Sequence, residues 1–445
     1  MPVWRYDSNG DLEIDSASEC SAETERWFLP GGVCLTDHQK RSLEFGSQFV
    51  DATGLKAHLK PLGRKLHVLT DCSGAEAPIT ALYLMFGKDS IKHLSACDKA
   101  KGPQEYIKAN FPDAELYHDV LSWEVEKFVD KVDIYAAGFP CKAFSRMRTF
   151  SLWLQDPEAR PFYGCVSNIK SLRPRAAVME NVMGIALVMV EVKDHLVKEL
   201  PEYDIYIIVL SPHQFGVNLN RERYYFLLVR KEYAIGDLEA ITTQTLTDLE
   251  KKFEHSEPWQ TFLLPDDHEL LTDKKERRHA EKKDYSIVAK PKPEEPKWRH
   301  IHWEVMQRNK VVKKNLKKDV DAWQKRLKTP RSCQALAILS SIKPTWTACD
   351  LSQSLHRMPV IGDGAPFMCI TPNGKYWIRE KQRCLLGLEK LLLMGFPIHV
   401  LNVTCVSDTV LSSLGGNAMH IRPVAAALAC VLKSMDIQKV ATLRL

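Results

Sequence analysis

No stretch of this 445-residue chain approaches the roughly 20 consecutive apolar residues that a membrane-spanning helix needs. The best candidate, residues 176–192, is broken by Glu180 and Asn181. The first residues, MPVWRYDSNGDLEIDS, are acidic and polar, unlike a secretory leader or a transit peptide. Among twelve cysteines there is no CxxC or CxxH pair to start a zinc site. A chain of this length buries a core without disulfide staples, and no internal repeat is present. The expectations are therefore no membrane, no metal, and reduced, mostly buried thiols, with Cys141 set apart. The expected compartment is the nucleus if the source is eukaryotic and the cytoplasm otherwise.

Hydrophobic residues make up 45% and charged residues 26%, a globular composition. The net charge of +5 conceals an asymmetry. Residues 273–331 hold 20 Lys and Arg against 9 Asp and Glu, which leaves the remainder mildly acidic. A surface that tracks phosphates has this character. A solvated, salt-bridged helical insertion would show it equally.

Residues 1–60 have weak periodicity and read as an extension of unknown role. From residue 66 short apolar runs alternate with helical stretches, the pattern of an α/β fold with a mainly parallel sheet. Strands are predicted at 66–70, 93–96, 132–137, 176–179, 206–210 and 224–229, with helices clearest at 78–86 and 104–110. Between about 235 and 343 the alternation stops. This charged, proline-punctuated stretch contains Trp298 and Trp303, read as packing residues rather than base-stacking ones, and a basic helix is predicted over 305–328. Helices are predicted again at 383–394, stopped by Gly395-Phe396-Pro397, and at 423–434.

Chemistry concentrates where such sheets bind ligands, at the carboxyl ends of strands. Cys141 follows the strand 132–137 within Gly138-Phe139-Pro140-Cys141. Its neighbours Lys142, Arg146 and Arg148 are expected to favour the thiolate. Glu180 ends the strand 176–179 and is placed to hydrogen-bond a substrate in the same crevice. Arg221 and Arg223, one residue apart at a strand start, point to the same side and suit an anionic or carbonyl group. Cys72, Ser73 and Gly74 form a small-residue loop after the first strand, suited to close approach of a ligand. Asp98 ends the second strand, and Asp119 lies in a loop about 20 residues on. Each has a plainer reading when taken alone: a buried loop cysteine, a helix-capping pair, a solvated strand end, or a turn with too few glycines.

Their order and spacing resemble the cytosine-C5 methyltransferase family. Arg383 to Glu389 followed by Gly395-Phe396-Pro397 is similar to the family's Arg-x-Leu helix. Leu414-Gly415-Gly416-Asn417 is similar to its last Gly-Asn motif. The resemblance covers about 64–232 and 376–435. It implies a Rossmann-like class I methyltransferase sheet with a smaller inserted target-recognition domain. The corresponding division is 1–60 extension, 61–234 first catalytic part, 235–375 basic target-recognition insertion, and 376–445 return to the catalytic domain. It also implies S-adenosylmethionine as methyl donor and DNA as partner, with the 273–331 segment on phosphates. Cys141 would add to cytosine C6, Glu180 would bind N3 and the exocyclic amine, Arg223 would hold the carbonyl, and Arg221 would support the loop. The donor would lie against Cys72, Ser73, Gly74 and Pro140, with Asp98 on its ribose, Asp119 on its adenine and Asn417 nearby.

This chain departs from the family pattern in four places. Glu76 and Ala77 stand where Gly-Gly is common, and the extra side chain is expected to alter donor affinity. Lys142 replaces a Gln, and Asn218-Leu219 replaces Pro-Gln. Leu386, Leu392 and Met394 replace polar residues. Two alternatives stand beside the DNA enzyme. One is a tRNA enzyme of the same fold, whose branch typically carries a Cys-Phe-Thr signature absent here. The other is a non-catalytic nucleic-acid-binding homologue.

Overall fold

The apolar runs that begin at Leu66 pair into one seven-stranded sheet. The computed structural model describes residues 37–144, 152–265, 291–311, 319–320, 327 and 329–442, with side chains from residue 44, and a short strand pair, Arg5–Tyr6 with Leu12–Glu13. The strands are β1 (Leu66–Asp71), β2 (Ile91–Cys97), β3 (Glu115–Tyr117), β4 (Ile134–Ala137), β5 (Ala176–Val182), β6 (Tyr203–Leu210) and β7 (Arg223–Arg230). Their order is β3-β2-β1-β4-β5-β7-β6. All neighbours are parallel except β7, which runs antiparallel to both β5 and β6. The central strands β1, β4 and β5 are buried at nearly every position because helices cover both faces.

Helices that flank this sheet are α1 (Asp37–Thr53), α2 (Ala77–Phe86), α3 (Lys101–Asn110), α4 (Arg160–Leu172), α5 (Met189–Glu199) and α6 (Leu238–Lys252). Phe162 and Ile169 of α4 and Val192 and Leu196 of α5 build the core on one face. The other face takes Phe45 and Phe49 of α1, Ile79 and Leu82 of α2, and Tyr106 of α3. Residues 37–53, whose periodicity is weak in the sequence, are thus part of the main core. The insertion contributes α7 (Lys297–Arg308), α8 (Pro330–Ile342) and a four-stranded antiparallel sheet. Its strands are β8 (Ala348–Asp350), β9 (Val360–Ile361), β10 (Tyr376–Ile378) and β11 (Arg383–Cys384), in the order β9-β8-β10-β11. The chain then forms α9 (Gly387–Leu393), α10 (Asp408–Asn417) and α11 (Ile421–Lys433). Every residue of α11 except Lys433 is buried, and its alanines let it lie between α2 and α6 under the sheet. The C-terminal segment therefore completes the core begun in the first half.

The structure departs from the sequence expectations at several elements. β3 has only three residues, and the sequence pattern missed it. Glu180 lies inside β5, which runs on to Val182. The predicted basic helix is interrupted: α7 ends at Arg308, Asn309 and Lys310 form a turn with Lys310 at φ 52°, Asp319 and Val320 are again helical, and most of the remaining span lies outside the described residues. Arg383 and Cys384 belong to β11, paired with Trp377 and Ile378, so the following helix starts only at Gly387. Among the described residues no helix is long and apolar enough to cross a membrane.

Candidate active site

The chain passes from β1 outward through β2 to β3, then returns to the other side of β1 to lay down β4 and β5. At such a reversal the loops on either side of the switch diverge and open a crevice at the carboxyl edge. Parallel register sets the strand ends side by side there. Asp71 lies opposite Cys97 and Ala137, Cys97 opposite Tyr117, and Ala137 opposite Met179. The segments after β3, β2, β1 and β4, together with Glu180 near the end of β5, therefore line one edge in that order. These are the places of Asp119, Asp98, Cys72 to Gly74, and Pro140 with Cys141.

Cys141 is half-buried on the loop after β4. Its carbonyl accepts from Phe144 N (2.9 Å), which closes a turn. Phe139 is buried against Phe162 and Phe226 and anchors the loop from beneath. Asn181 fastens it from β5, its Nδ2 donating to the Phe139 carbonyl (2.9 Å). Glu180 is 7% exposed, and its Oε1 lies 3.2 Å from Nε of Arg223 on the adjacent antiparallel strand. Burial raises the Glu180 carboxyl above its ordinary value, while Arg223 and then Arg221 pull it down. Burial likewise pushes the Cys141 thiol up, Glu180 adds to that, and the two arginines oppose it. Of the three cationic neighbours read from the sequence, only Lys142 lies within the described residues. Lys142 lies 3.3 Å from Glu158, and Arg146 and Arg148 fall outside the described residues.

Arg221 and Arg223 divide their labour. Arg221 is buried, and its guanidinium donates to the carbonyls of Ile370 (2.8 Å), Gly416 (3.2 Å) and Ala418 (2.7 Å). It binds the loop before β7 to the insertion and to the C-terminal motif, a positioning role. Arg223 keeps its guanidinium beside Glu180. Between them stands a residue that sequence reasoning missed. Cys369 Sγ lies 3.5 Å from Arg223 Nη2 and 3.8 Å from Arg221 Nη1. Burial opposes its ionisation, but the two guanidinium groups outweigh burial and hold this thiol below its ordinary value. No local signal marked it, because its partners are nearly 150 residues away in sequence.

The segment carrying Cys369 is held by a second overlooked residue. Lys390 is buried, and its Nζ donates to the carbonyls of Thr371 (3.1 Å) and Gly374 (3.0 Å) and to Ser412 Oγ (2.6 Å). Gly416 packs so tightly here that a Cβ would meet Pro372 N at 2.1 Å. That contact explains the Gly-Asn motif in terms of space. Asn417 closes α10 with its side chain exposed.

On the other side of the crevice Gly74 has φ 55°, and a Cβ there would meet nothing within 4 Å. The backbone is open to a ligand. Asp98 is held by Gly74 N (2.9 Å) and Ala100 N (2.8 Å), and burial raises its carboxyl. Asp119 accepts from Leu121 N, which lowers its carboxyl, and pairs with Lys99 at 3.1 Å. Glu76 does not enter the crevice. It takes a left-handed backbone, φ 58°, and turns its carboxyl fully under the loop. The open Gly74 backbone beside two strand-end carboxylates suits a ligand with hydroxyls and an amine, as a nucleoside has.

The model of C-5 cytosine-specific DNA methylases matches residues 77–434. The DNA (cytosine-5-)-methyltransferase DMT5 of Cryptococcus neoformans is 25% identical over 420 residues, covering 83% of this chain and 17% of that protein. The type II methyltransferase M.HhaI of Haemophilus parahaemolyticus is 28% identical over 185 residues, covering 40% of this chain and 52% of its own length. The crystal structure of the Schizosaccharomyces pombe Dnmt2 methyltransferase aligns with TM-score 0.49 and 16% identity, over 83% of this chain and 98% of that one. This chain thus spans about a sixth of the Cryptococcus protein and about half of M.HhaI.

Proposed function

Because the chain belongs to the C-5 cytosine-specific DNA methylase family, we propose that it methylates C5 of a flipped-out cytosine in DNA, with S-adenosylmethionine as donor. The observation that carries this reading is the convergence of Cys141, Glu180 and Arg223 at one sheet edge, beside the open backbone of Gly74. The donor, when bound, supplies an electrophilic methyl group; Cys72, Ser73, Gly74, Asp98, Asp119 and Pro140 would hold it, with Asn417 nearby. Cytosine C5 is a weak nucleophile, and the protein's task is to make it a strong one. Cys141 forms a bond to C6 and pushes electrons toward C5. Glu180 hydrogen-bonds N3 and the exocyclic amine, and Arg223 holds the ring carbonyl, so the ring carries the added charge. C5 takes the methyl group as the bond between that methyl and the donor sulfur breaks. The C5 proton then passes to water, the ring electrons return, and the Cys141–C6 bond breaks to release Cys141 as thiolate. That is the form in which it attacked, after giving its own proton to solvent. A base inside a duplex offers no path for this attack, so extrusion from the stack is part of the proposal. The insertion, expected over 235–375 and placed between α6 and α9, serves as the target-recognition part, with its basic segment on phosphates.

A tRNA substrate is the second reading, and one observation favours it. Cys369-Ile370-Thr371 differs from the Cys-Phe-Thr signature of that branch only at the middle residue, and it stands on the arginine pair. One experiment separates the two. The protein and its Cys141→Ser variant are incubated with labelled S-adenosylmethionine and either duplex DNA or tRNA. Label at cytosine C5 of DNA, absent in the variant, is the expected outcome. Label in tRNA alone transfers the proposal to the second reading, and label in neither, without donor binding, leaves a scaffold.

A further inference from the structure

The loop after β1 is built over a buried polar cluster that the chemistry above does not use. Thr70 Oγ1 donates to Glu76 Oε1 (2.8 Å) and lies 2.8 Å from Ser73 Oγ. Ser73 Oγ in turn accepts from Cys97 N (3.1 Å), and Ser73 N donates to the Cys97 carbonyl (3.0 Å). Glu76 N donates to the Ser73 carbonyl (2.8 Å). One carboxyl group thus sits at the centre of the contacts that shape residues 71–77, and Gly74 of that loop is in turn the donor to Asp98.

Glu76 keeps the left-handed backbone that a glycine adopts without strain, yet it carries a side chain with no exposed surface. Its Oε2 has no hydrogen-bond partner among the described residues. The nearest cationic candidate, His93 Nε2, is 3.7 Å away, beyond hydrogen-bonding distance. A carboxylate so poorly supplied with donors is costly to bury, whereas a carboxylic acid is far less so. The other ionisable groups around it offer no relief: Asp71 and Asp98 are acidic, and Tyr83 and Tyr106 add none. Burial raises the Glu76 carboxyl to about 8, and burial also lowers His93 to about 3, so the shared proton rests on Glu76.

We propose that Glu76 is a positioning residue for the methyl donor: its buried carboxyl group anchors loop 71–77 from below, and donor binding weakens when that group loses its proton. The inference rests on the donor assigned above. It turns a departure from the family's Gly-Gly into a built-in alkaline limit on donor binding.

The test uses the full chain, with Glu76→Gln and Glu76→Ala, and titrates S-adenosylmethionine calorimetrically from pH 7 to pH 9.5. Glutamine keeps the shape and the acceptor but never ionises. Wild type should lose about 30-fold in affinity across that range relative to Glu76→Gln, if only the protonated form binds. Ionisation of the donor itself affects both proteins alike and cancels in the comparison. Glu76→Ala should bind weakly at every pH. Melting curves give a second readout. A group raised in the folded state costs stability as pH climbs from the unfolded value to the folded one. The melting temperature of Glu76→Gln should therefore gain on wild type between about pH 5 and pH 8 and then hold level. Parallel binding profiles, or donor binding by Glu76→Ala equal to wild type, would overturn the proposal. Should neither wild type nor Glu76→Gln bind donor at pH 7, the methyltransferase reading falls, and the melting curves alone decide where the proton sits.

Discussion

Cys141 and Cys369 are two half-buried thiols that feel the same arginine pair yet are held in opposite directions. Burial, with Glu180 adding to it, raises Cys141 against the arginines, whereas the guanidinium groups outweigh burial at Cys369. An electrophile such as iodoacetamide reports this directly, because only the thiolate reacts. Cys369 should be alkylated at lower pH than Cys141, as followed by peptide mass spectrometry. Replacing Glu180 by Gln removes a negative neighbour, so the Cys141 midpoint should move to lower pH. Replacing Arg223 by Met removes a positive one and should move it up. Midpoints that ignored both changes would mean that burial alone sets this thiol. If Cys141 is the nucleophile proposed above, the pH dependence of turnover should have a rising limb that follows the Cys141 midpoint in each variant.

At the scale of elements, the arginine pair is aimed by a loop, and that loop is held by one lysine. Lys390 satisfies the carbonyls of Thr371 and Gly374 and the hydroxyl of Ser412 at once, and Arg221 grips the Ile370 carbonyl beside them. Lys390→Met keeps the volume and removes the donors. It should cost on the order of 2 kcal/mol in urea unfolding near neutral pH, since buried carbonyls lose a charged partner while an awkward buried ammonium is also removed. Burial pulls the Lys390 ammonium down to about 8. The folded chain therefore releases this proton before the unfolded one does, and wild type should gain on the variant as pH rises beyond 8. A variant equal to wild type in stability would show that the loop holds itself.

This element also marks how far the sequence could be read. The strands β1, β5 and β7 were legible because parallel or doubly covered strands are near-continuous apolar runs. The candidate-site motifs were legible because each sits at or near a strand end, where periodicity changes. β3 was not, since three residues carry no period. The helix expected from Arg383 failed because Trp377 and Ile378, in a neighbouring strand, claim Arg383 and Cys384 for a ladder. Arg383 still reaches the helix, with both Nη atoms 2.7 Å from the Glu389 carboxyl. Leu392 and Met394, which replace polar residues of the family pattern, are buried. Cys369 and Lys390 were invisible, because their meaning lies in carbonyls and guanidinium groups brought together only by folding. The inward turn of Glu76 depends on a positive φ that an acidic residue does not announce.

Across the whole molecule, the site proposed to hold the base has two parents. Arg223 starts on the catalytic sheet, but the segment at Phe367 to Thr371 comes from the insertion. It is tied to the loop before β7 by paired backbone bonds, Asn220 N to the Phe367 carbonyl (2.8 Å) and Phe367 N to the Asn218 carbonyl (2.9 Å). Leu219, which replaces a polar residue, is buried in this seam. Whatever the insertion grips is therefore coupled by a few covalent steps to the residue that would hold the flipped base. The described part of the insertion has its own small core, in which Val305 and Met306 of α7 meet Cys333 and Ile338 of α8. Trp298 is half-buried and edge-on to His302 on the same helix. Around that core Lys292, Lys297, Arg308 and Lys310 remain exposed. If these cations meet phosphates, each pairing releases counterions, and affinity for duplex DNA falls steeply with salt. Changing Lys292, Lys297, Arg308 and Lys310 together to Gln should weaken DNA binding at low salt. It should also flatten the slope of log Kd against log salt by up to about one for each phosphate left without its cation. Donor affinity, set at the far side of the crevice, should stay as it was. An unchanged slope would return these charges to the role of a solvated helical surface, and target recognition would then rest on the seam at Leu219 and Phe367 rather than on the basic face.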